Sequence, residues 1–214
     1  MNLRTHAARG AVLAALCVAT AAMTVPQALA AEPHGKVAAA GTAGASTSFG
    51  ELGSLTDLII ERLRVSDDVA ASKFGTDSPI DDPARESEVL DRVREQAAAN
   101  GVRPEAAVAF FRDQITASKV VQKGLFARWT AHPRQAPTTR PDLTVIRARL
   151  DRLTTDLLHA LGTTAQLRAD PAACSVELAW STTSGAVLAR LDALHRQALR
   201  AATPSVCDPV DGRD

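Results

Sequence analysis

Any excess of charge is missing from this sequence: its 214 residues carry 24 Lys and Arg against 24 Asp and Glu. A neutral chain lacks the basic face that nucleic acid or an anionic membrane surface requires, so neither is expected as a bulk partner. Missing too is any sustained alternation of apolar and polar residues bounded by turn dipeptides, which excludes a sheet. The sequence has no glycine-rich phosphate loop, no His/Cys spacing suited to a metal, and no serine in a nucleophile elbow. Of five histidines, His6 and His34 lie near the N-terminus. His132, His159 and His195 stand far apart without a His or Cys partner at helical spacing, so they read as surface or interface residues. No metal and no cofactor is expected.

What is present begins with an export signal. Arg4 and Arg9 precede an apolar run from Ala11 to Val25, followed by Pro26 and the small-residue triplet Ala28-Leu29-Ala30. The run is too short for a permanent bilayer span and ends on a peptidase site, so residues 1–30 read as a signal peptide and the mature chain starts at Ala31. The expected location is extracellular or periplasmic, with no stable membrane association. A lipid anchor on Cys17 is disfavoured, because Leu16 before it is bulkier than the small residue lipidation needs. Cleavage removes two basic residues and leaves 22 basic against 24 acidic. It also leaves two cysteines, Cys174 and Cys207, in an oxidising compartment, where they are expected to form one disulfide.

Residues 31–53 form a leader that is flexible by composition, because its Ala, Gly, Ser and Thr bury too little surface to offset ordering entropy. Residues 54–207 read as one all-α domain, a bundle of about six helices, and 208–214 as a tail. Leu55, Leu58, Ile59 and Leu63 recur at three- and four-residue steps and predict a helix from Ser54 to about Lys73. Asp82-Pro83 supplies an N-cap and a first-turn proline for a second helix, which stops at Asn100-Gly101. Pro104-Glu105 opens a third, through Phe110, Phe111, Ile115 and Val121 towards Trp129. His132 to Pro141 is a proline-rich loop. Leu143, Ile146, Leu150, Leu153 and Leu157 form the seam of a fourth helix. Pro171 starts a segment through Val176 and Leu178, and Val187, Leu191, Leu194 and Ala198 mark the last helix before Pro204.

Several polar residues sit at helix-compatible spacings. Arg62 and Lys73 are eleven residues apart, about three turns, and project from nearly one face. Arg85 and Glu86 occupy the first turn after Asp82-Pro83. Ser118 and Gln122, at i and i+4, share a face of the third helix, and Arg147 lies beside the leucine seam. Taken singly, each arginine has a plainer reading, a side chain snorkelling to solvent beside apolar positions.

As an ordered set, Glu61-Arg62-Leu63, Val69-Ala70-Ala71-Ser72-Lys73, Pro79-Ile80-Asp81-Asp82 through Arg85-Glu86, Asp113-Gln114-Ile115 through Ser118 to Gln122, and Pro141-Asp142-Leu143 through Arg147 resemble the all-helical chorismate mutases, in particular their secreted subclass. The paired cysteines also fit that subclass. The resemblance spans about Leu55 to Cys207.

It implies a Claisen rearrangement of chorismate to prephenate without cofactor or covalent intermediate. Arg62, Arg85 and Arg147 are implied as clamps on the substrate's two carboxylates, with Ser118 also on a carboxylate. Lys73 and Gln122 are implied as donors to the ether oxygen on which charge builds, and Glu86 with the chain at Asp82 as the receivers of the ring hydroxyl. Some secreted relatives place glutamate at the position of Gln122; an amide donates without protonation, so activity should change little between mildly acidic and neutral pH. Val89 stands where some relatives have a polar residue and is left out of the site. The resemblance leaves a homodimer open, while Arg147 in the same polypeptide favours a site built from one chain. Two rivals are a secreted helical binding protein that kept the fold without activity, and a membrane-active bundle, whose basic face is absent.

Overall fold

The computed structural model describes residues 48–207. The expected signal peptide, residues 31–47 of the leader and the 208–214 tail lie outside the described residues. Seven α-helices and no strand occur among the described residues.

Helix α1, Gly53–Lys73, was expected to bury one face and instead is central. Besides Leu55, Ile59 and Leu63 it buries Ile60, Val65, Arg62 and Ser66, because α3, α4, α6 and α7 pack around it. Helix α2, Pro83–Ala97, starts as its cap predicts: the Asp82 Oδ1 accepts the Arg85 N–H at 3.1 Å, and Pro83 fills the first position, where no N–H is needed. It tightens into a 3-10 turn, Ala98–Asn100, and stops at Gly101, whose φ of 68° suits glycine. Helix α3, Pro104–Ala131, carries the fully buried Phe110 and Phe111. Helix α4, Leu143–Thr163, is capped by Asp142, which accepts the Thr144 N–H at 2.7 Å. Near its end Gly162 lets α4 approach the α2 terminus, since a Cβ there would lie 2.1 Å from the Asn100 carbonyl oxygen.

The C-terminal third departs from expectation. A four-residue helix α5, Ala165–Arg168, precedes α6, Pro171–Leu188, and α7 spans Ala193–Ala201. The last helix therefore starts at Ala193 rather than near Val187. Arg190, at φ 52°, breaks the chain, and Asp192 caps the new helix by accepting the His195 N–H at 2.9 Å. Val176 and Val187, read as apolar periodicity, are exposed, because α6 turns the small Cys174, Ser181 and Gly185 inward.

Both ends of the described chain are tied down. Cys174 and Cys207 form the expected disulfide, closing a 33-residue separation with Cα atoms 5.6 Å apart. The buried Arg168 donates from Nε to the Val206 carbonyl at 2.7 Å and from Nη1 to the Leu161 carbonyl at 3.1 Å. Gln114 Nε2 donates to the Ala202 carbonyl at 2.7 Å, and Asp113 accepts the Ser205 N–H at 2.8 Å. At the other end, residues 48–53, assigned to the leader by composition, are packed. The Ser48 N–H donates to Asp57, Phe49 stacks on Trp180 at 6.2 Å, and Leu52 is fully buried. Composition missed this because the buried Leu52 acts together with hydrogen bonds from Ser48, Phe49 and Glu51 to Asp57, Ser184 and Glu177.

Candidate active site

A cavity of about 310 Å³ opens between α1, α2, α3, α4 and the loop before α2. Arg62, Lys73, Asp82, Arg85, Glu86, Ser118, Gln122 and Arg147 all line it, and all come from one chain. Pro79, Ile80, Ile115, Leu143, Ile146 and Leu150 supply apolar wall between them. Val89, left out of the site from sequence, belongs to that wall as well. Its position one turn beyond Arg85 carries it to the same face, where it supplies apolar surface instead of a hydrogen bond.

Arg62 is the buried cation of the set, only 8% exposed. It lies over the Phe111 ring at 5.7 Å, while its Nε and Nη1 have no hydrogen-bond partner in the protein. Burial pulls its guanidinium down to about 10, with Asp151 opposing the shift. The snorkelling explanation therefore fails at this position. Lys73, half-buried at the end of α1, donates to the Pro79 carbonyl at 2.8 Å. Burial lowers its ammonium, while Asp82, Glu86 and Asp81 raise it. Arg85 and Arg147 are exposed at the cavity, and Arg85 pairs with Glu88 at 2.7 Å.

On α3, Gln122 Nε2 donates to Ser118 Oγ at 3.1 Å and more weakly to the Ser118 carbonyl, while its buried Oε1 has no partner. Ser118 also meets the buried Ser66 hydroxyl at 2.9 Å. A half-turn of the Gln122 carboxamide exchanges these roles: Oε1 then accepts from the Ser118 hydroxyl and the NH2 becomes free to donate elsewhere.

Sequence reasoning missed Lys119, Arg92 and Asp151, which also line the cavity. Lys119 bonds both carboxylate oxygens of Glu86, at 3.1 and 3.0 Å. Burial alone would lower its ammonium, but the Glu86 and Asp81 hydrogen bonds outweigh this and raise it. Arg92 on α2 meets Asp151 on α4 at 3.3 Å. The readable signal was the pair Lys119 and Lys123, four apart on α3, facing the acidic residues Asp81 and Glu86. The wall thus holds six cationic side chains and three carboxylates, not the four and one read from sequence. The surplus of positive charge, in a chain with none overall, suits a small dianion.

The family model for chorismate mutase type II matches residues 53–123, from the start of α1 to one residue beyond Gln122. The chain is 32% identical over 160 residues to a secreted chorismate mutase of Mycobacterium tuberculosis, covering 75% of this chain and 80% of that protein. It superposes on a chorismate mutase crystal structure from Burkholderia phymatum with a TM-score of 0.70 and 35% identity, covering 74% of this chain and 96% of that one. A second crystal structure, of chorismate mutase from Burkholderia thailandensis, gives a TM-score of 0.66 and 42% identity over 72% of this chain and 98% of that one. Sequence and helical architecture therefore agree that the chain belongs to the all-helical chorismate mutases.

Proposed function

We propose that this protein is an exported isomerase that rearranges chorismate to prephenate within the cavity. The observation that carries the reading is Arg62: a buried guanidinium with two donors unmatched by the protein, at the wall of a cavity rich in cations. Such donors are costly in a folded chain unless an anion meets them. A carboxylate fits a guanidinium through two parallel hydrogen bonds, and chorismate has two carboxylates. Arg62, Arg85 and Arg147, with Ser118, clamp these groups and hold the enolpyruvyl tail over the ring, which is the conformer that reacts.

In the rearrangement the ether carbon–oxygen bond breaks as a carbon–carbon bond forms, and no atom passes to the protein. Charge builds on the ether oxygen. Lys73 and the turned Gln122 amide donate to that oxygen and so stabilise the transition state more than the ground state. Glu86 and the main chain at Asp82 receive the ring hydroxyl. Export is supported by the N-terminal sequence and by the secreted relative.

The test is to recover the protein from the medium or periplasm of an expressing cell, sequence its N-terminus and follow chorismate by ultraviolet absorbance. The expected outcome is a chain starting at Ala31 that consumes chorismate, at rates within about twofold between pH 5.5 and 7.5, because an amide donor does not titrate. Gln122→Glu should instead lose activity as pH rises, since its carboxyl donates only when protonated. A folded protein without turnover would favour a binding protein that kept the fold. A steep fall for the unaltered protein over that pH range would contradict Gln122 as the ether donor.

A further inference from the structure

Glu86 has a long, flexible side chain, and the cavity offers its carboxylate a choice of cations. Lys73 and Glu86 line the same cavity, and Glu86 acts on the Lys73 ammonium electrostatically, raising it against the burial that lowers it. Lys119 lies across from it on α3 and contacts both oxygens, at 3.1 and 3.0 Å. The Asp82 N–H adds a longer contact to Oε1 at 3.4 Å. Both side chains of the Lys119–Glu86 pair are about three-quarters buried, with 25% and 28% exposure. Lys119 is itself steadied by Asp81 at 3.4 Å, and Lys123 holds Asp81 from the other side at 2.8 Å.

We propose that Lys119 is a positioning residue: its ammonium orients the Glu86 carboxylate at the cavity wall and keeps it away from Lys73. A carboxylate offers about four lone-pair sites. Lys119 and the Asp82 amide occupy three of them, leaving one for a ligand hydroxyl. Without Lys119, Lys73 on the same cavity wall becomes open to Glu86, and pairing there would draw off the donor meant for the ether oxygen. The inference rests on the mutase reading and on Glu86 as the hydroxyl's acceptor. It assigns Lys119 no contact with substrate.

The experiment is a double-mutant cycle with chorismate as the probe, measuring kcat and KM beside the thermal midpoint of every variant. Lys119→Gln should lower kcat/KM about tenfold, with KM raised and kcat reduced, at an unchanged midpoint. Lys119→Arg should restore most of the loss. Added to Glu86→Gln, the same Lys119→Gln change should cost nothing further, because its effect passes through that carboxylate. Lys123→Gln, whose ion pair is with Asp81 and not with Glu86, should cost far less in kcat/KM than Lys119→Gln. Unchanged kinetics in Lys119→Gln, or a loss that adds fully to that of Glu86→Gln, overturns the proposal. Should Lys119→Gln lower the midpoint, Lys119→Arg decides: wild-type stability without recovered kcat/KM also overturns it. Absence of turnover by the unaltered protein would overturn the mutase reading itself, and this inference with it.

Discussion

At the scale of single residues, the proposed carboxylate clamp makes Arg62 a case of stability given up for binding. A guanidinium with two unpartnered donors, held among Phe111 and the helices around α1, destabilises the empty fold. Replacing a buried charge by an apolar side chain of similar length removes that cost. Arg62→Met should therefore keep or raise the unfolding free energy, by about 1 kcal/mol, while kcat/KM for chorismate falls about 100-fold. Urea unfolding and steady-state kinetics on the same preparation check both halves, and a parallel loss of stability would contradict the account. The eleven-residue step from Arg62 to Lys73 was legible because a straight helix converts spacing into direction. Lys119 was not legible from that rule. Its role depends on where α2 places Glu86, a distance across 33 residues of chain that no local pattern encodes.

At the scale of elements, α7 is held to α1 by His195. Its ring nitrogens lie 3.0 Å from Asp67 Oδ1 and 2.8 Å from Asp192 Oδ1, and both can donate only in the imidazolium form. The side chain is 13% exposed, so it is a helix-to-helix contact rather than a surface group. The Asp67 hydrogen bond raises its pKa above 6.5; burial opposes this, and Asp192 adds to it. Asp192 is pushed up by burial, but the His195 N–H and ring, with Arg128, outweigh that and hold it at about 2. Because the folded imidazole has the higher pKa, its contribution is fully present below the unfolded value near 6.5 and is lost as pH rises through the folded value. His195→Gln should thus lower the melting temperature by about 3 °C at pH 6, with the gap to the unaltered protein closing in alkali. A gap that widens with pH would contradict the assignment. Both ends of α2 and the starts of α3 and α4 were readable because Asp82-Pro83, Asn100-Gly101, Pro104 and Asp142 are chemical stops and starts. The break between α6 and α7 was not, since Arg190 takes a left-handed conformation with no Gly or Pro to announce it.

At the scale of the whole molecule, the cavity and the C-terminal closure meet on α3, where Ile115 lines the cavity and its neighbour Gln114 bonds the Ala202 carbonyl. The cavity draws on α1 to α4 and the loop before α2, whereas the disulfide, Arg168 and Gln114 fasten the C-terminal turn. The class of fold followed from the helical period and the absence of alternating strands. That eight scattered residues would meet in one cavity did not follow from period or charge. It needed their order along the chain, which the family resemblance supplied and the packing of α1 between α3 and α4 explains. The most direct test of the central claim compares the unaltered protein with Lys73→Ala for loss of chorismate, the two matched in circular dichroism and thermal midpoint. The account predicts turnover by the first and a loss of about 100-fold or more in kcat/KM for the second. Equal turnover by both, or none by either, would contradict it.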